Sequence, residues 1–301
     1  MRHIIGLLKI LAMKILIAGG TGFIGKTLIP FLVKNGHDVN VLTRRTTTDE
    51  ENIHYYRWNV DEGVIDSQAF DGVEAVINMT GANIGEKDWT VDRKNELLNS
   101  RVRPLDLLWK YITESGNKIK VLVSSSAVGY YGAVTTDHIF TEEDPNGHDF
   151  PAYVCRLWED TALKFRDVAD RVVILRKGLV IGEGGGICQK LEPLAKLGLN
   201  VALGSGKQYF PLVCINDLIS VYNYVLEHNE IDGVFNIVSN KHVTMNEFSE
   251  KLLHSFGRRK FLPNIPAFII KLLFRERSQM LLQGSKISND KIRSTGFEFW
   301  Y

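Results

Sequence analysis

An α/β fold with a doubly wound parallel sheet and a smaller α-rich cap at the C-terminal end is predicted by three features of the sequence. β-favouring runs alternate with helical periodicity, a glycine turn joins the first run to the first helical segment, and five run ends carry small or polar residues. The chain of 301 residues is 45% hydrophobic and 24% charged, with 36 Lys and Arg against 35 Asp and Glu. Such a composition supplies a large core and lacks the concentrated basic excess of a nucleic-acid binder. Three cysteines, Cys155, Cys188 and Cys214, form neither a disulfide framework nor a CxxC metal pair, which points to a reducing, cytoplasmic compartment.

Residues 1–12 (MRHIIGLLKILA) begin like a signal peptide, but Lys9 and Lys14 interrupt the apolar run and no small-residue cleavage site follows. They read as an N-terminal appendage, with Met13 as an alternative start. No stretch reaches the ~18 uninterrupted apolar residues of a membrane span, so no membrane partner is expected.

Residues 14–18 (KILIA) read as a strand buried on both faces. Gly19, Gly20, Thr21, Gly22, Phe23, Ile24 and Gly25 follow at once, then a segment of helical spacing closed by Gly36, then a second strand from Val39 to Thr43. This order gives a Rossmann-type dinucleotide site its context. Gly19 serves the tight turn, Gly22 leaves no Cβ before a pyrophosphate, and Gly25 lets the helix pack closely with its N-terminus facing phosphate. The second strand ends in Thr43, Arg44 and Arg45, with no acid until Asp49. A carboxylate there would bind a ribose 2′-hydroxyl, whereas a hydroxyl and a guanidinium suit a 2′-phosphate. NADP(H) is therefore the expected cofactor.

Further strands are expected at Val73–Asn78, Val121–Ser124, Arg171–Arg176 and Val234–Val238. The small residues after the first of these, Met79, Thr80 and Gly81, let a loop pass close to a ligand. Thr90 to Ser115 reads as helix, kinked or restarted at Pro104. Asp217 is read as the N-cap of an amphipathic helix, and 244–256 and 267–283 as helices of the cap. The expected organisation is a nucleotide-binding domain over 13–182 with a returning segment near 205–240. A mainly substrate and cap region spans 183–301, and its helical part covers 244–301.

The residues AGGTGFIG (18–25), GYYG (129–132) and LRKGLVIG (175–182) resemble the extended short-chain dehydrogenase/reductase superfamily of epimerases and dehydratases. GANIGEKDWT (81–90), SSAVGYYG (125–132), GEGGGI (182–187), GSGKQYF (204–210) and GFEF (296–299) resemble more closely its atypical epimerase family branch, which carries a distinct C-terminal domain. The resemblance spans residues 13 to 301. It implies NADP(H) on Gly19–Gly25, with Thr43 and Arg44 on the 2′-phosphate. Met79 and Thr80 then line the ribose and pyrophosphate region, and Val180 lies near the nicotinamide. Glu96 and Arg101 match positions able to reach the cofactor, with a neighbouring salt bridge as the alternative.

The superfamily's chemistry uses a serine or threonine, a tyrosine and a lysine four residues after the tyrosine, because an unassisted phenol is a poor base at neutral pH. Ser126 matches the serine and Tyr153 the tyrosine. Leu157 occupies the lysine position, and Arg156, Lys164 and Lys177 lack the spacing. Tyr130 and Tyr131 are alternative phenols. Lys207, Gln208 and Tyr209 fall where related enzymes cover the substrate, or else in a closing hairpin. No metal motif and no GxSxG elbow is present. The expectation is an NADP(H)-binding oxidoreductase or epimerase-like enzyme with a small polar substrate and a homodimer as candidate assembly. The alternative is an inactive NADP(H)-binding sensor or partner-docking protein, for instance in cell division.

Overall fold

The computed structural model describes residues 12–45 and 47–300. The appendage expected at 1–12 lies, except for residue 12, outside them. In chain order the strands are β1 Lys14–Ala18, β2 Asp38–Thr43, β3 Ile53–Asn59, β4 Val64–Ile65, β5 Ala75–Asn78, β6 Ile119–Ala127 and β7 Ile139–Phe140. They continue with β8 Ala169–Lys177, β9 Leu179–Gly182, β10 Gly185–Gly186, β11 Leu212–Cys214, β12 Gly233–Ile237 and β13 Lys286–Ile287. The helices are α1 Phe23–Lys34, α2 Val91–Ser115, α3 Phe150–Leu163, α4 Cys188–Lys196, α5 Ile215–Glu227, α6 Met245–Ser255, α7 Ala267–Phe274, α8 Ser278–Leu282 and α9 Asp290–Ser294.

Eight strands make the main sheet in the order β12-β8-β6-β5-β1-β2-β3-β4. All its pairs are parallel except β3 with β4. Alternate residues of each central strand feed opposite faces. Ile15, Ile17, Val121, Val123, Val173 and Leu175 pack against α1 and α5. Leu16, Leu122, Val172 and Ile174 pack against α2 and α3. Burial on both sides is why these strands are continuous apolar runs. Strand order reverses between β1 and β5, the place where such sheets bind ligands beyond their strand C-termini.

Several local expectations are corrected. Residues 53–59 and 64–65 add β3 and β4 to the sheet. Helix α2 runs unbroken through Pro104, whose ring is buried beside Leu105 and Leu108 and offsets the lost backbone hydrogen bond by packing. The segment 267–283 is not one helix: Arg275, at φ 48°, separates α7 from the short turns that follow. Cys214, not Asp217, is the N-cap of α5, and buried Asp217 lies in its first turn, where it accepts from the backbone N–H of Trp300.

The C-terminal residues fold back onto the sheet. β13 pairs with β7, and Phe297 and Phe299 enter the core between sheet and α5. No helix among the described residues is long and apolar enough to cross a membrane.

Candidate functional site

The glycine turn is shaped by close backbone approach. Gly19 has φ 85°, and a Cβ there would lie 2.8 Å from the Met79 carbonyl carbon. The Met79 N–H donates to the Ala18 carbonyl, 2.8 Å, so the ends of β1 and β5 are held together beneath the turn. A Cβ on Gly25 would lie 2.2 Å from the Gly20 carbonyl oxygen, which brings α1 onto the turn itself. Gly22 caps α1 with no side-chain acceptor, and no acidic residue sits in the first helical turn. Its unpaired amides and positive dipole end remain available to an anion. Phe23 packs its ring against Gly185 and Gly182, where any Cβ would collide with it or with Ile215. Gly20, Thr21 and Ile24 complete the turn.

A cavity of about 610 Å3 opens from this turn along the sheet edge. Gly19, Thr21, Gly22, Thr43, Arg44, Met79, Thr80, Gly81 and Glu96 line it, so most residues expected at a cofactor come together there. Thr43 is buried and its Oγ accepts from the Arg45 N–H, 3.1 Å, fixing the turn that presents Arg44. Arg44 is exposed and has no carboxylate partner among the described residues. Trp58, Asn59, Asp61 and Arg103 also line the cavity and were missed by sequence reasoning. They come from the end of β3 and from α2, and Arg103 pairs with Asp61 at 2.9 Å. A strand ending in polar residues beside β2 was the available signal.

Arg101 and Glu96 do not pair with each other. Glu96 is exposed and binds Arg93 at 2.7 Å, which holds its carboxyl below the usual range. Arg101 lies under Gly81, where a Cβ would come 3.1 Å from the guanidinium carbon. It donates to the carbonyls of Leu97, 2.7 Å, and Ala82, 3.0 Å, and stacks over Trp158. Its visible work is to hold the loop after β5.

At the inner end the structure separates the expected catalytic residues. Ser126 is fully buried and donates to Glu159 Oε1 at 2.6 Å. Glu159 is bound twice by Arg176, through Nε at 2.9 Å and Nη2 at 2.8 Å. Arg176 also donates to the Tyr131 hydroxyl, 3.0 Å, which donates to Asn236 Oδ1, 2.7 Å. The Ser126 and Tyr131 hydroxyls are thus committed to a buried polar network on the α3 side, and burial pushes the Tyr131 phenol up to about 12. The reason is strand alternation: Ser126 follows the parity of Leu122 and Ser124 and faces α3. Tyr153 sits apart, 44% exposed on α3, with the Arg156 guanidinium over its ring. Val180 lies in the small β10-β9-β11 sheet, partly buried against α1 and α5.

Ser125, one residue earlier, faces the α5 side. Its Oγ lies 2.7 Å from the Tyr222 hydroxyl and accepts from Lys177 Nζ at 2.9 Å. Burial, together with the nearby Arg101 charge, pushes the Lys177 amine down to about 7. The spacing rule discarded Lys177 because it belongs to another strand, yet register brings its backbone opposite Ala127, beside the serines.

The segment expected near substrate splits as well. Gln208 is buried, and its amide donates to the carbonyls of Leu203, 3.0 Å, and Leu281, 2.9 Å, so it clamps the cap. Lys207 is exposed, and Tyr209 carries Lys286 over its ring in a shallow pocket with His242.

Residues 15–238 match the NAD dependent epimerase/dehydratase family, and 265–301 match a domain of unknown function, DUF1731. The mouse epimerase family protein SDR39U1 is 32% identical over 291 residues, covering 95% of each chain. An epimerase family protein of Mycobacterium leprae is 31% identical over 287 residues, with 94% of this chain and 90% of that one covered. The crystal structure of human SDR39U1 with NADPH superimposes with a TM-score of 0.84 at 31% identity, covering 96% of this chain and 95% of that one. With the glycine turn, the strand order and these matches in agreement, the chain belongs to the NAD dependent epimerase/dehydratase family.

Proposed function

We propose that the protein is an NADP(H)-dependent oxidoreductase or epimerase-like enzyme that acts on a small polar substrate in a reducing compartment such as the cytoplasm. The observation that carries the reading is the cavity leading from a bare glycine turn to the unpaired Arg44 guanidinium. The cradle fits a dinucleotide, since Gly19 and Gly25 leave no room for side chains and the first turn of α1 carries no competing acid. The NADPH held by human SDR39U1 supports the cofactor choice.

Gly19–Gly25 and the α1 amides would hold the pyrophosphate, and Thr43 with Arg44 the 2′-phosphate. Met79, Thr80 and Gly81 form the floor beside the turn, which Arg101 braces from below. NADP(H), when bound, supplies or takes a hydride. The Glu159–Arg176 pair keeps the Ser126 hydroxyl oriented at the end of β6 and excludes water from that side. Tyr153 is the phenol left free to exchange a proton with a substrate.

A second reading, an NADP(H)-binding sensor or docking protein, draws support from Leu157 at the lysine position and from the committed Ser126 hydroxyl. Purified protein with NADPH and a panel of carbonyl substrates separates the two. Turnover that falls at least tenfold in Tyr153→Phe supports the enzyme. NADPH uptake without oxidation of any carbonyl supports the sensor.

A further inference from the structure

Two cationic side chains at the inner end of the cleft lack a counter-charge. Lys177 Nζ binds only the neutral Ser125 Oγ, and Arg101 binds only the Leu97 and Ala82 carbonyls and the Ser100 hydroxyl. Neither has a carboxylate within 4.0 Å among the described residues, although most charges of this protein that are as deeply placed are paired, as Arg176 is with Glu159. Both side chains are partly exposed, so solvent in the cleft reaches them. An ammonium has three donors and a guanidinium five. Lys177 uses one, and Arg101 directs three contacts at backbone and Ser100, so both retain donors.

Holding two like charges in a partly desolvated place is costly unless an anion joins them. The direction of the Lys177 shift agrees, because Arg101 and burial both act against its charge. Ser125 and Tyr222 are the other groups against the amine, and neither is an acid at neutral pH.

The dinucleotide's own phosphates are poorly placed to be that anion. The glycine turn follows β1, and β8 lies three strands away across β5 and β6. At ~4.8 Å per strand the separation is about 14 Å along the edge. Lys177 also stands beyond the level of β1, since Ala18 aligns through Asn78 and Ser124 with Ile174. A group there meets whatever lies past the phosphate end of the cofactor.

We infer that Lys177 and Arg101 form an oxyanion site for the substrate, which therefore carries a carboxylate or phosphate group close to its reacting carbon. The inference rests on the cofactor reading only for calling this anion the substrate's; the site itself is a property of the two cations.

Calorimetric titrations of oxalate, inorganic phosphate and neutral oxamide into the full chain, with and without saturating NADPH, test it. Filling the cofactor site with NADPH removes the glycine turn and Arg44 as competing anion sites. Oxalate or phosphate is expected to bind the loaded protein while oxamide does not, and Lys177→Met is expected to weaken that oxyanion at least tenfold. Preference for oxalate over phosphate identifies a carboxylate substrate, and the reverse a phosphate ester. Equal behaviour of oxalate and oxamide, or wild-type oxyanion affinity in Lys177→Met, overturns the inference. If NADPH does not bind yet an oxyanion binds in a Lys177-dependent manner, the cofactor reading falls and the anion site stands. The melting temperature of Lys177→Met supplies a control: at or above wild type is expected, because an unpaired charge has been removed. A drop of more than about 5 °C shows Lys177 serving the fold through Ser125 and overturns the inference.

Discussion

Arg44 and Lys177 show how differently two cations are used along one sheet edge. Arg44 is solvated and free at the end of β2, where charge-assisted hydrogen bonds to a phosphate contribute about 1.5–3 kcal/mol. Arg44→Ala is expected to weaken NADPH by roughly 10- to 100-fold and to leave NADH nearly unchanged, measured by fluorescence titration of both nucleotides. Equal losses would show that Arg44 does not read the extra phosphate. Lys177 is the opposite case, an amine pushed down to about 7 from an ordinary 10.5. Between those values the unfolded chain carries a proton that the folded chain lacks, so this group makes stability rise with pH across the window. Below pH 7 the cost is fully present. Lys177→Met removes it, so the variant's advantage in urea midpoint should grow as pH falls from about 10 to 7. A difference independent of pH would contradict the buried, uncompensated amine.

At the scale of elements, the Ser126–Glu159–Arg176–Tyr131–Asn236 network ties β6, α3, β8, the turn after β6 and β12 to one another. Glu159→Gln leaves the Arg176 charge buried and unpaired, for which about 3–5 kcal/mol of destabilisation is expected. The double change Glu159→Met with Arg176→Met should cost less than the single one, because no lone charge remains. Chemical denaturation of the three variants measures this, and a double variant weaker than Glu159→Gln would sink the account. The start of α6 offers a smaller, independent test. Thr244 and Glu247 form a reciprocal capping box, and Thr244→Ala should lower stability by about 1 kcal/mol.

Across the whole molecule, the last stretch of chain closes the core rather than hanging from it. Ile287, Ile292, Phe297 and Phe299 are buried, and β13 pairs with β7. Each such side chain contributes about 1.5–3 kcal/mol by burial, so four approach the 5–15 kcal/mol that separates folded from unfolded domains. Deleting 286–301 should therefore abolish the cooperative thermal transition seen by circular dichroism. A truncated chain that melts like the full one would show that this segment is an accessory.

Periodicity and glycine placement were enough to determine the doubly wound sheet, the cofactor turn and the Thr43–Arg44 end of β2. Those features follow from short-range rules: a strand buried on both faces is continuously apolar, and a backbone that touches another backbone has no Cβ. The fold of α2 through Pro104 and the break at Arg275 escaped because packing outweighs local preference. The inner end of the cleft escaped for a different reason. Whether Ser125 or Ser126 faces a given side depends on strand parity within the assembled sheet. Whether a lysine stands beside a serine depends on the register of β6 with β8, two strands separated by a helix and more than forty residues of chain. Linear spacing ruled Lys177 out, and only the tertiary pairing of those strands placed its amine on Ser125.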